Sequence, residues 1–222
     1  MDISNSIMVI TSAGSVLGSA LAERLVLFGA RVILVDHQYQ PLIDTYQRCK
    51  ALSSEVHYYY VETYDRQSIN ALLDFVQLKY DQAPDVVINN WNTQPLPSII
   101  DETPIEQFSH NIASMASTLF TFVQLSSERM RAQHKEGVIV NIVTNSDHEQ
   151  GNGYDNSASM ISGFTQSWAK ELSPYNIRVG AVLPNQASIQ SQQHLSQIID
   201  EYVRNTEYIV ENEYFSGRVM SA

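Results

Sequence analysis

The sequence predicts an α/β fold: one doubly wound parallel β-sheet with helices on both faces, formed by residues 1–222 as a single domain. Three observations support this prediction. Apolar runs of strand length alternate with longer helix-like segments along nearly the whole chain, which is typical of parallel strands joined by helical crossovers. Several of these runs are continuous in Val, Ile and Leu, as in strands covered on both faces. A hydrophobic fraction of 44% over 222 residues allows one sizeable core.

Each predicted strand is a short apolar run rich in β-branched or aromatic residues. In chain order, these runs are residues 7–10, 31–35, 56–61, 86–89, 137–143 and 178–183. The run at 31–35 is Val, Ile and Leu after its first residue, which indicates a strand buried on both faces. Tyr58, Tyr59 and Tyr60 also fit a strand, because aromatic side chains favour pleated surfaces.

Each predicted helix lies between two of these strands. In chain order, the helical patterns span residues 16–28, 66–80, 105 or 112 to 133, and 157–172. Gly29 suits the end of the first helix, and Pro104 suits the first turn of the third. The second helix places four apolar residues on one face, at the spacing of a half-buried helix. They are Ile69, Leu72, Leu73 and Val76.

Composition and charge exclude several classes of partner. The formal net charge is −11, from 13 Lys and Arg against 24 Asp and Glu, so the chain lacks the cations that a nucleic-acid partner requires. No apolar run is long enough to span a bilayer, and the N-terminus lacks the basic and apolar regions of a secretory signal. One cysteine, Cys49, rules out an internal disulfide and predicts a cytoplasmic location. We therefore expect neither a nucleic-acid nor a membrane partner.

Seven short motifs, in register along almost the whole chain, resemble those of the short-chain dehydrogenase/reductase family. They are residues 11–18 (its glycine-rich turn), 89–92, Asn111, 141–144, matches within 163–172, residues 177–179 with Pro184, and 216–219. The resemblance implies a Rossmann-like fold and an NAD(P)-dependent oxidoreductase. It also implies a homo- or hetero-oligomer assembled through the two long helices and the last strand. The apolar residues expected on that surface are Met115, Leu119, Phe122, Phe164 and Trp168.

The glycine-rich turn is altered in this chain. A dinucleotide pyrophosphate binds at a helix N-terminus, and glycines there let it approach the backbone. Ser12 and Val16 occupy the positions of the first two glycines, and only Gly18 remains. Ser12 or Ser15 can cap the helix instead of holding a phosphate. The resemblance implies eight cofactor-binding residues in total, namely Ser12, Gly14, Val16, Leu17, Gly18, Asp36, Glu62 and Asn89.

The adenosine end of the expected cofactor site is also altered. Asp36, at the end of the second strand, implies NAD rather than NADP, because such an acid binds the ribose hydroxyls. Glu62 resembles an acid near the expected adenine, and an exposed surface acid is the alternative for both residues. Trp91 and Asn92 replace the small residues that line the adenosine in the family. The indole of Trp91 either fills that space or stacks on a base.

The catalytic group lacks its cation. The resemblance implies three catalytic residues: Tyr154, Asn111, and Thr144 in the place of a serine. In the family, a lysine four residues after the tyrosine lowers the tyrosine pKa, holds the nicotinamide ribose and joins a proton relay. Ala158 occupies that position. Without a neighbouring positive charge, a tyrosine hydroxyl has a pKa of about 10. Tyr154 is therefore expected to be a weak acid–base group at neutral pH.

Two hypotheses remain open at this point. The departures from the family concentrate at positions that touch cofactor or substrate, and a shortened substrate lid is predicted around residues 185–195. This pattern favours a catalytically impaired or inactive family member that serves as a structural or partner subunit. The alternative is an active NAD(H)-dependent oxidoreductase acting on a small alcohol or carbonyl compound. No metal site is predicted, because the adjacent residues Asp147, His148 and Glu149 lack the spacing of metal ligands.

Overall fold

The computed structural model describes residues 1–92, 102, 105–144, 154–184 and 195–222, apart from the side chains of Asn92, Tyr154 and Asp155. The strands are β1 (Ile7–Ile10), β2 (Arg31–Asp36), β3 (Val56–Tyr60), β4 (Val86–Asn92), β5 (Gly137–Thr144), β6 (Ile177–Leu183) and β7 (Arg218–Ser221). The helices are α1 (Val16–Leu27), α2 (Tyr39–Leu52), α3 (Arg66–Tyr80), α4 (Ile105–Ala132), α5 (Tyr154–Leu172) and α6 (Leu195–Glu211). A 3-10 turn, Ser173–Tyr175, follows α5.

The seven strands form one parallel sheet in the order β3-β2-β1-β4-β5-β6-β7. This arrangement confirms the predicted doubly wound fold. The central strand β1 pairs with β2 on one side and with β4 on the other, and all four of its residues are buried. The chain order reverses at this point, so a crevice opens beyond the carboxyl ends of β1 and β4. In sheets of this kind, ligands bind in that crevice.

Two apolar layers sandwich the sheet. One layer joins the sheet to α1, α2 and α6, and the other joins it to α3, α4 and α5. The central strands alternate between the layers, because successive side chains of a strand point to opposite faces. Met8 and Ile10 lie in the first layer, for example, and Ile7 and Val9 in the second. Among the described residues, no helix has both the length and the apolar character needed to cross a membrane.

The element bounds differ from the predicted ones at several points. Helix α2 was not predicted, since only Leu42, Thr45 and Cys49 of its 14 residues are buried and its apolar pattern is correspondingly weak. Strand β4 continues to Asn92 because Asn90, Trp91 and Asn92 all pair with β5. Helix α5 begins at Tyr154 rather than at residue 157, and β7 covers 218–221 rather than 216–219. The long helix α4 begins at Ile105, the earlier of the two predicted starts.

Candidate functional site

The turn between β1 and α1 is built by serine side chains. The hydroxyl of Ser15 accepts a hydrogen bond from the Gly18 backbone N–H at 3.0 Å, and Ser15 is therefore the N-cap of α1. Ser12 adopts a left-handed backbone conformation, with a φ of 47°. A Cβ atom on Gly18 would clash with the carbonyl oxygen of Ser12, so a glycine is needed there for the turn to close. Ser15 caps the helix, and Ser12 shapes the turn.

The start of α1 retains the features of an anion-binding helix terminus. The N–H groups of Val16 and Leu17 lie in the first helical turn, where a helix leaves its N–H groups without an internal partner. The Val16 side chain is 63% exposed and stands beside this terminus, whereas Leu17 is buried in the core. The pyrophosphate end of a dinucleotide therefore fits the helix N-terminus in part. The side chain of Val16 occupies space that a glycine would leave free.

Asp36 is a buried acid that holds the site together. It is 3% exposed, so the alternative of an exposed surface acid is wrong. Its Oδ2 accepts a hydrogen bond from the Gly14 N–H at 2.8 Å, and its Oδ1 accepts one from the Gln38 N–H at 3.0 Å. The Nδ1 atom of His37 lies 3.4 Å from the same Oδ1. Both carboxylate oxygens are thus engaged by the protein itself.

Gly14 is a contact point between the turn and α2. A Cβ atom built on Gly14 would lie 2.6 Å from Cβ of Pro41 and 2.8 Å from its carbonyl carbon. Gly14 therefore lets the first turn of α2 pack directly on the β1–α1 turn. This close approach explains the glycine without any reference to a phosphate.

Asn90 is a site residue that the sequence reasoning did not single out. Its backbone N–H donates to the Thr11 hydroxyl at 2.9 Å, which joins the ends of β4 and β1. Its side-chain Nδ2 donates to the Ser15 hydroxyl at 3.1 Å and to the Ser12 carbonyl at 3.4 Å. Asn90 thus supports the turn from the far side of the crevice. Its position directly after Asn89 in the family motif was the available signal.

Three aromatic side chains meet beside Asp36. The ring centroids of Tyr64 and Trp91 are 5.3 Å apart, and each ring lies 5.8 Å from that of Phe122. Burial and then the nearby Asp36 carboxylate raise the pKa of Tyr64. Tyr64 also meets the His37 ring edge-on, with centroids 5.9 Å apart. We call Tyr64, Trp91 and Phe122 the aromatic cluster, and the sequence reasoning identified only Trp91 as part of the site.

The other two predicted cofactor contacts, Glu62 and Asn89, differ in exposure. Glu62 is exposed in the loop between β3 and α3. Asn89 is fully buried, and its Nδ2 donates to Oδ1 of Asn141 at 3.0 Å across the β4–β5 pair. The Asn89 side chain is therefore committed to the interior of the sheet.

The predicted catalytic residues come from three elements. Thr144 ends β5, and its hydroxyl donates to the Trp91 carbonyl at 3.4 Å. Tyr154 is the first residue of α5, with its side chain outside the described residues, and Asn111 lies half-buried on α4. One turn after Tyr154, Ala158 packs partly buried against the apolar layer of α3, α4 and α5. The predicted lid lies outside the described residues except for Leu195, which begins α6.

Neither α4 nor α5 carries a lysine or arginine outside its last turn. Lys170 is the only cation of α5 and lies in its last turn, at the opposite end from Tyr154. The arginines of α4, Arg129 and Arg131, lie in the last turn of that helix. The segments outside the described residues contain neither lysine nor arginine. Outside those last turns, none of these parts of the chain carries a lysine or arginine.

Tyr202 of α6 contacts the end of β5. Its side chain is buried, and its hydroxyl donates to the Val143 carbonyl at 2.9 Å. Burial raises the pKa of this phenol, which keeps it a neutral hydrogen-bond donor. Its partner, Val143, directly precedes Thr144 in β5. Tyr202 was not predicted as part of the site.

The expected apolar assembly surface is partly wrong. Leu119 and Phe122 are fully buried in the core of the chain, so neither is available to a partner. Phe120 is 48% exposed instead, and its ring lies 6.3 Å from that of Trp168. Trp168 stacks on Phe164 with centroids 4.9 Å apart.

Within the described ranges, no three His, Cys, Asp or Glu residues are grouped so that they could hold a metal ion.

Known proteins resemble this chain in both sequence and structure. Residues 6–198 match the profile of the family described as short chain dehydrogenase. A diacetyl reductase, (S)-acetoin forming, from Staphylococcus epidermidis is 27% identical over 188 residues, which cover 82% of this chain and 71% of the relative. A 3-oxoacyl-(acyl-carrier-protein) reductase from Thermotoga maritima is 28% identical over 187 residues, which cover 83% of this chain and 75% of the relative.

Solved structures share the fold at lower identity. A short-chain type dehydrogenase/reductase from Mycobacterium marinum superposes with a TM-score of 0.83 at 18% identity, covering 99% of this chain and 94% of the other. NAD+-bound xylitol dehydrogenase superposes with a TM-score of 0.81 at 19% identity, covering 100% and 98%. The family profile spans most of the chain, from residue 6 to residue 198. This chain therefore belongs to the short-chain dehydrogenase family.

Proposed function

We propose that this chain is a family member without dehydrogenase turnover, and that it serves as a structural or partner subunit. The observation that carries the proposal is Ala158, which stands one helical turn after Tyr154 on a helix whose only lysine or arginine, Lys170, lies in its last turn. In an oxidoreductase of this family, the nicotinamide cofactor supplies the hydride and the protein supplies the proton. The proton step is the one that this chain lacks.

The loss of the cation has a large expected effect. A tyrosine with an unshifted pKa of about 10 is a weak proton donor at pH 7, and only roughly one part in a thousand is the phenolate that alcohol oxidation requires as a base. General acid–base catalysis contributes about 10²–10⁴-fold to a rate, and it is most efficient when the catalytic pKa lies near the working pH. Tyr154, Thr144 and Asn111 would still orient a substrate oxygen, but without a tuned proton donor their contribution is mainly binding.

The proposed role in assembly rests on the outer faces of α4 and α5. Phe120 is exposed beside Trp168, and Phe164 stacks on the same indole. A large exposed aromatic side chain next to others is typical of a surface that another protein covers. We propose that α4 and α5 form the contact with a second copy or with a catalytically complete relative, and that β7 at the sheet edge takes part.

A second candidate function is an active NAD(H)-dependent oxidoreductase. It is favoured by the intact helix terminus at Val16 and Leu17, by Gly18, and by the retention of Tyr154. The relatives include a diacetyl reductase and a 3-oxoacyl-(acyl-carrier-protein) reductase. A small carbonyl compound is accordingly the substrate class to test.

Steady-state assays separate the two candidates. The purified chain would be incubated with NADH or NADPH and with diacetyl, a 3-oxoacyl thioester or a polyol, beside the Staphylococcus epidermidis diacetyl reductase as a working control. We expect no turnover above the background of a heat-denatured sample. Turnover that Tyr154→Phe abolishes would overturn the proposal. Robust turnover of Ala158→Lys alone would show that the cation was the only missing part.

A further inference from the structure

Adenosine, as the family binds it, would lie between Asp36 and the residues that end β4. Tyr64 lies between Asp36 and the end of β4. Its ring meets the ring of His37, the residue next to Asp36, with centroids 5.9 Å apart, and it meets Trp91 with centroids 5.3 Å apart. The side chain therefore crosses the space where a ribose and a base would lie.

The rings of the aromatic cluster leave no gap for a base. A base stacked between two rings separates them by about 7 Å, twice the optimal carbon–carbon contact distance. The centroids of Tyr64 and Trp91 are 5.3 Å apart and the planes cross at 80°, an edge-to-face contact of two touching rings. Phe122, which is fully buried, supports both rings from below at 5.8 Å. The cluster is thus a close-packed extension of the core.

The acid that would recognise the ribose is out of reach as well. The Asp36 side chain is 5% exposed, and its two oxygens accept hydrogen bonds from the Gly14 and Gln38 backbones. Each oxygen keeps a second lone pair, but the carboxylate is so deeply buried that ribose hydroxyls can reach it only if the side chains around it move. Pro41 also packs directly against Gly14 of the turn.

We infer that Tyr64 and Trp91 fill the adenosine half of the cofactor site, so that this chain takes neither NAD nor NADP in the manner of its family. The inference goes beyond the loss of turnover, because a protein without a catalytic cation can still bind a dinucleotide. The inference also predicts a gain of binding. Removal of the two rings should leave an apolar cavity beside Asp36 that accepts an adenine ring.

The test is a gain of binding. Titration calorimetry and thermal shift would compare the unmodified chain with Trp91→Ala/Tyr64→Ser, using AMP, ADP-ribose and NAD+ as probes. We expect no saturable binding by the unmodified chain. The double variant should bind ADP-ribose at least about tenfold more tightly, because an engineered apolar cavity accepts an aromatic ligand of matching size. The ligand should also raise its melting temperature by mass action.

The matched control is Tyr80→Ser. Tyr80 is also partly buried against the layer of α3, α4 and α5, but it contacts His57 and Arg31, away from Asp36. This variant should gain no nucleotide binding. A folded double variant that binds no adenine ligand would overturn the inference, as would equal gains in the double variant and the control.

A second measurement does not depend on the folding of the double variant. In a Trp168→Phe background, Trp91 is the only tryptophan of the chain. Its emission should be unaffected by NADH beyond the optical absorbance of the ligand. Saturable energy transfer from Trp91 to NADH would overturn the inference. If that binding came without turnover, the proposed function would stand and only the inference would fall.

Discussion

The carboxylate of Asp36 accepts a hydrogen bond from the backbone N–H of Gly14 at 2.8 Å. This contact joins the end of β2 to the turn that follows β1, and the Gln38 N–H bonds to the other oxygen at 3.0 Å. The residue that would bind ribose in a dehydrogenase is therefore part of the internal framework of this protein.

Replacement of Asp36 should destabilise the fold. In Asp36→Ala, the N–H groups of Gly14 and Gln38 lose a charged acceptor, and hydrogen bonds to charged groups contribute about 1.5–3 kcal/mol each. We expect the free energy of unfolding to fall by about 3–6 kcal/mol, twice the contribution of one such bond, measured by urea titration. Asp44→Ala, at an exposed position of α2, is the control and should change it by less than about 0.5 kcal/mol. Equal losses in the two variants would contradict a framework role for Asp36.

Two glycine-to-alanine substitutions should act in opposite directions. Gly18→Ala places a Cβ atom against the Ser12 carbonyl oxygen, and relief of that clash should cost about 1–3 kcal/mol of stability. Gly163 is exposed on α5, and a Cβ atom there would meet nothing within 4 Å. Gly163→Ala should therefore stabilise the protein by about 0.5–1 kcal/mol through helix propensity alone. Chemical unfolding of both variants checks the signs, and a tolerated Gly18→Ala would mean that the turn is not closed as described.

The proposed assembly surface is tested by a charge on an exposed residue. Phe120→Asp places a carboxylate next to Trp168 and should shift any oligomer towards a smaller species, because a buried unpaired charge is costly. Light scattering after gel filtration gives the mass directly. Leu78→Asp, at a position of α3 that is 81% exposed, is the control and should leave the mass unchanged. A monomeric unmodified chain, tested alone and with a catalytically complete relative, would refute the proposed contact.

The strands and most helices could be predicted from the sequence, because the apolar periods of this chain are those of the elements themselves. The face of α4 that packs on the sheet could not be predicted. Residues 119, 120 and 122 are all apolar, so the pattern alone does not tell which of them faces the sheet. Packing places Leu119 and Phe122 inside and leaves Phe120 outside.

The position of the candidate site could be predicted from the sequence, but the hydrogen bonds and side-chain packing within it could not. Asp36 stands where a ribose-binding acid is expected, yet it is buried and each of its oxygens accepts a backbone N–H, which no side-chain pattern reveals. Tyr64 gave no signal by itself, since a single tyrosine in a loop is unremarkable in a sequence. Its role depends on Trp91 and Phe122, which come from distant parts of the chain and meet it only in the folded protein.

The central position of β1 has a consequence for synthesis on the ribosome. Strand β1 can pair with β2 as soon as residues 31–36 have emerged, but its other edge is completed only by β4, some fifty residues later in the chain. During that interval a wholly apolar strand presents one open edge, which is a template for pairing with another nascent chain. A ribosome stalled within α3 would therefore display an aggregation-prone intermediate, and chaperones that cover strand edges should matter most for this protein before residue 92 is released.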